Sequence, residues 1–69
     1  MPEFYVNRNK QYNGDNEVHQ NNICPYPANA ENRVYLGIFP SCSGAVREAK
    51  NKGYNANGCK YCAPACHTR

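Results

Sequence analysis

Cys59-Lys60-Tyr61-Cys62, near the end of the chain, and His19-Gln20-Asn21-Asn22-Ile23-Cys24, in its first half, decide how this sequence folds. A Cys-x-x-Cys turn sets two thiolates on one ion, and a second pair far away in sequence lets that ion tie remote segments together. The spacing reads as one tetrahedral metal site with His19, Cys24, Cys59 and Cys62 as ligands and Zn2+ as the expected metal. A redox Cys-x-x-Cys is the competing reading, but thioredoxin-like chemistry sits on a larger βαβ scaffold than this chain can supply.

Outward from these pairs, the composition explains why a staple is needed. The chain has 69 residues, 41% of them hydrophobic by a count that includes 5 Cys and 6 Tyr, with no Trp. Its mean hydropathy is -0.88. That length holds a single domain, 1–69, whose core contributes about 3–5 kcal/mol. The large aliphatics are Val6, Val18, Ile23, Val34, Leu36, Ile38 and Val46, joined by Phe4, Phe39 and some tyrosines. Binding of a metal to a site absent from the unfolded chain contributes about 10–16 kcal/mol in zinc-finger peptides, enough to turn a marginal core into a stable fold.

Met1-Pro2-Glu3-Phe4 carries neither the basic nor the apolar region of a signal peptide, and no stretch has the length of a membrane span. The expectation is a cytoplasmic protein with no membrane partner. Thiols in a reducing cytosol do not pair stably, and the odd total of 5 Cys suits a closed disulfide set poorly, so compartment and count both favour metal.

Secondary structure follows from local patterns. Phe4-Tyr5-Val6 is β-prone, Asn13-Gly14 suits a tight primed turn, and a return strand through Glu17-Val18-His19 should follow. The prolines of Cys24-Pro25-Tyr26-Pro27 exclude an interior strand or helix, so Cys24 belongs in a rigid loop. Arg33 to Phe39 is the strongest strand pattern. Pro40 stops it, and Ser41 is a suitable N-cap for a helix reaching about Lys52. Cys42, Ala45, Val46 and Ala49 share one apolar helical face, and Gly53 is a natural residue to end the helix. The expected class is small α+β, with short antiparallel strands and one helix closed by a zinc knuckle. The many asparagines predict much loop.

His19-x-x-x-x-Cys24, a strand ending in Phe39, a Ser-capped helix with Ala45, then Gly53-Tyr54 and Cys59-x-x-Cys62 together resemble the Ada-like metal-binding fold. That fold occurs in the N-terminal zinc domain of the bacterial alkylation-repair protein Ada and, His-first, in small modules appended to some bacterial nucleases. The resemblance covers about residues 17–62. Members of that family reach the first knuckle Cys sooner after Gly-Tyr, whereas here Asn55-Ala56-Asn57-Gly58 intervenes and should bulge outward as a turn. This chain also adds a Cys66-His67 tail.

Cys42 reads most simply as a buried small hydrophobe. Cys66 and His67 could replace Cys24 and His19 in a tail-based site, or Cys66 could pair with Cys42 or Cys24 under oxidation. For function, four protein ligands close the shell, which favours a non-catalytic structural or interaction module with a macromolecular partner, protein or nucleic acid. The formal charge of +3 becomes about +2 once three thiolates and a divalent ion are included. Arg8, Lys10, Arg33, Arg47, Lys50, Lys52, Lys60 and Arg69 are dispersed, so the alternative of a nucleic-acid-binding module rests on no basic run. The third reading is a zinc-thiolate alkyl acceptor. The resemblance implies the first ligand cysteine as acceptor, and its counterpart here is His19, which cannot take that role. Nothing else forms a catalytic constellation.

Overall fold

The computed structural model describes residues 2–68. Its elements are β1 (Glu3–Asn7), β2 (Asn16–Gln20), β3 (Arg33–Ile38), α1 (Cys42–Asn51) and β4 (Ala56–Gly58), with single 3-10 turns at Ala30–Asn32 and Pro64–Cys66. The four strands form one sheet in the order β3-β1-β2-β4. β1 pairs antiparallel with both β2 and β3, whereas β4 runs parallel to β2, so the sheet is mixed rather than antiparallel throughout.

The β1–β2 connection is longer than a two-residue primed turn. Gly14 N donates to Gln11 O and Gln11 N to Asp15 O, with Gly14 at φ +92°. The connection runs over residues 8–15, and its tip is a three-residue turn, residues 12–14, with glycine in the left-handed position, so it still depends on the glycine that the sequence singled out.

Side chains alternate across the sheet and sort into two faces. Phe4, Val6 and Val18 are buried with Leu36 against Ala45 and Ala49 of α1, and Val34, Phe39 and Val46 pack around them. The intervening positions Tyr5 and His19, which are register partners, point away from the helix. α1 approaches closely because the face it buries is small: Ala45 and Ala49 are fully covered, and Gly44 lies against the Phe39 ring. Ser41 occupies the N-cap position with extended backbone, but its hydroxyl bonds Ser43 Oγ at 2.8 Å rather than the helix amides. At the other end Tyr54 N donates to Ala49 O and Gly53 N to Lys50 O, with Gly53 at φ +95°, which is the paired closure of a Schellman motif.

Two further expectations need correction. Asn57-Gly58 is not an outward turn, because Ala56–Gly58 adds a strand to the sheet. The reason is tertiary: the Asn57 side chain is buried on Asp15, and Gly58 leaves room for the tail to cross it. Cys42 is not a free hydrophobe. It is partly exposed and joined to Cys66 by a disulfide with a Cα–Cα distance of 6.2 Å, tying the start of α1 to the C-terminal turn. The five cysteines divide into this bond and three thiols, Cys24, Cys59 and Cys62.

Candidate metal centre

His19 reaches the site from the penultimate residue of β2, on the sheet face opposite the helix. Cys24 comes from the proline-bounded loop that follows, which turns back over that face through Asn22, at φ +69°. Cys59 directly follows β4, its amide donating to Val18 O to extend the β2–β4 ladder by one step. The knuckle then folds tightly, with Ala63 N donating to Cys59 O, and delivers Cys62 beneath Gln20.

The four donor atoms all lie within 4.8 Å of one another. His19 Nδ1 is 3.3 Å from Cys24 Sγ and 3.6 Å from Cys62 Sγ, and Cys24 Sγ is 3.6 Å from Cys59 Sγ. Metal–sulfur and metal–nitrogen bonds of ordinary zinc length place tetrahedral donors about 3.5–3.8 Å apart. The two 3.6 Å edges match this, the 3.3 Å edge is shorter, and no pair exceeds 4.8 Å, so the donors surround a space of the size one small ion takes. The group could hold a metal, and the chemistry of three soft sulfurs with one imidazole suits that use.

Surrounding groups prepare each donor. Burial, helped by Arg33, lowers the His19 pKa to about 4, which keeps the imidazole neutral and able to donate a lone pair. Glu17 Oε1 lies 3.5 Å from His19 Nε2. A carboxylate there favours the proton on Nε2 and leaves Nδ1 facing the sulfurs. Burial pushes the Cys59 and Cys62 thiols up, Cys62 strongly, so without a cation both would remain protonated. Backbone amides offset part of this: Gln20 N donates to Cys62 Sγ at 3.3 Å and Tyr61 N to Cys59 Sγ at 3.4 Å. Tyr5 stacks on His19 with 5.2 Å between centroids, and the Arg33 guanidinium lies over the Tyr5 ring at 4.8 Å. Ala28 N donates to Tyr5 Oη and Arg33 Nε to Ala28 O, locking the loop over the stack.

All four residues singled out from spacing therefore converge. The tail-based alternative does not form: Cys66 is held by Cys42, and His67 Nδ1 is 3.1 Å from Gly58 O. Glu17, Tyr5 and Arg33 were not singled out for the site. Glu17 had a readable cue, since it sits two residues before His19 on the same strand face, whereas the roles of Tyr5 and Arg33 depend on strand pairing and loop closure. Outside the tetrad, Tyr26 and Tyr61 from the two ligand loops pack at 4.7 Å between centroids and remain exposed. The basic side chains from Arg8 to Lys60 are all exposed, and Arg69 lies outside the described residues. No family model, curated protein or solved structure matches the chain.

Proposed function

We propose that this is a non-catalytic zinc-binding module whose ion, held by His19, Cys24, Cys59 and Cys62, completes the fold and whose surface serves a macromolecular partner. The observation that carries the proposal is the convergence of Nδ1 and three Sγ atoms from three separate segments within 4.8 Å. Three thiolates with one imidazole select zinc among the common divalent ions, and four protein donors leave no coordination position for substrate. When bound, zinc supplies charge that keeps the buried thiols deprotonated and joins the β2 end, the Cys24 loop and the knuckle. Kinship with the Ada-like fold belongs to the same proposal, supported by the order of the ligand pairs around strand and helix. Methyl transfer of the kind known in Ada is not part of it, because His19 stands where the accepting cysteine would be. The exposed Tyr26–Tyr61 pair beside the metal loops is the surface we assign to the partner.

The test is native mass spectrometry of protein purified without added metal. One zinc per chain is expected, and Cys59→Ser should lose both the metal and the folded near-ultraviolet tyrosine signal. A wild-type chain that is well folded without metal overturns the proposal.

A further inference from the structure

The three cysteines of the tetrad are not equivalent. Cys59 is 1% exposed and Cys62 8%, whereas Cys24 is only partly buried, on an irregular loop between two exposed neighbours, Ile23 and Pro25. Their hydrogen bonding differs in the same sense. The sulfurs of Cys59 and Cys62 each accept a backbone N–H, from Tyr61 and Gln20, while no backbone N–H among the described residues donates to Cys24 Sγ. Its polar neighbours, His19 Nδ1, Cys59 Sγ and Cys62 Sγ, all belong to the tetrad. Donated hydrogen bonds withdraw electron density from a thiolate, and oxidation follows thiolate character together with exposure. Reactivity should therefore concentrate on one sulfur.

We propose that Cys24 is an oxidation site for hydroperoxides and that Cys59 resolves it into a disulfide, discharging the metal; this rests on the zinc-binding reading above. The Cys24 thiolate attacks the outer oxygen of the hydroperoxide. A sulfur–oxygen bond forms, the oxygen–oxygen bond breaks, and the departing alkoxide or hydroxide takes a proton from water. Cys24 is then a sulfenic acid, oxidised by the two electrons that the peroxide gains. The Cys59 thiolate, its sulfur 3.6 Å away, attacks the Cys24 sulfur. A sulfur–sulfur bond forms, the sulfur–oxygen bond breaks, and the hydroxide leaves as water after taking a second proton. Two thiolates, one hydroperoxide and two protons thus give one disulfide, one alcohol or water, and one further water. His19 and Cys62 alone remain as donors, too few to keep the ion. The other cystine, Cys42–Cys66, is already oxidised and takes no part.

The experiment uses the wild-type protein after native mass spectrometry has shown one zinc per chain, so failure of zinc binding is seen separately and beforehand. Hydrogen peroxide is added below stoichiometry in the presence of a 1,3-dicarbonyl probe that traps sulfenic acids, and released zinc is followed with a chromogenic chelator. The expected result is probe on Cys24 about tenfold above Cys59 and Cys62. Without the probe, zinc is released in step with a Cys24–Cys59 linkage in the non-reduced peptide map. Labelling first at Cys59 or Cys62 overturns the proposal. So does a linkage from Cys24 to Cys62, or zinc retention under peroxide that oxidises free cysteine.

Discussion

At Gly58 there is no room for a side chain. A Cβ there would lie 2.6 Å from Cys66 Cβ and 2.7 Å from the Ala63 carbonyl oxygen, and neither can yield without moving the tail. Gly58→Ala should cost about 1–3 kcal/mol, as overpacked sites do, and should weaken the proposed metal binding because the displaced backbone leads straight into Cys59. A melting temperature equal to that of the wild type would refute this reading. The asparagines carry a related lesson. Asn16 is buried and donates to Asn7 O and Arg8 O while its Oδ1 accepts from Asn55 N. Asp15, also buried, accepts from Asn55 Nδ2 and Asn57 Nδ2, and Asn57 Oδ1 accepts from Thr68 N. Composition alone suggests that these residues make loops, and many do. Several instead fasten the end of the sheet, a role that becomes visible only once β4 lies beside β2.

Among the elements, α1 and β3 were readable because their patterns are local: an i, i+3, i+4, i+7 apolar face, a closing glycine and a run of β-formers need no distant partner. β4 was not readable. Ala56-Asn57-Gly58 has almost no β propensity and becomes a strand through pairing with β2 and through buried side-chain bonds. The disulfide is likewise an inter-element fact, joining positions 24 residues apart. Replacing both partners, Cys42→Ser with Cys66→Ser, should lower stability by about 3 kcal/mol through loss of loop constraint. If the tetrad holds one zinc as proposed, that stoichiometry should stay unchanged, since neither sulfur belongs to the tetrad. Chemical denaturation and native mass spectrometry read these two quantities separately. In a reducing cytosol the same pair would be thiols, whereas an oxidising compartment preserves the bond.

For the molecule as a whole, the helix side of the sheet holds an ordinary small core, and the opposite side is closed around His19 by the Cys24 loop and the knuckle. Covering both faces of so short a sheet asks more than the aliphatics supply, given a core worth about 3–5 kcal/mol against about 10–16 kcal/mol for metal in comparable small sites. Chelation should therefore abolish most of the sheet signal in far-ultraviolet circular dichroism while leaving Cys42–Cys66 linked, and added zinc should restore it. A chelated chain with an unchanged spectrum would contradict this. The sequence by itself pointed to the four residues that the structure brings together, and to the helix, three of the strands and the α+β class, because ligand spacing, periodicity and turn residues are local properties of the chain. Only the tertiary structure decided the parallel fourth strand, the pairing of Cys42 with Cys66, the stack of Tyr5 and Arg33 over His19 and the greater exposure of Cys24. Each of these depends on segments far apart in sequence being brought within bonding distance, and no local pattern encodes that proximity.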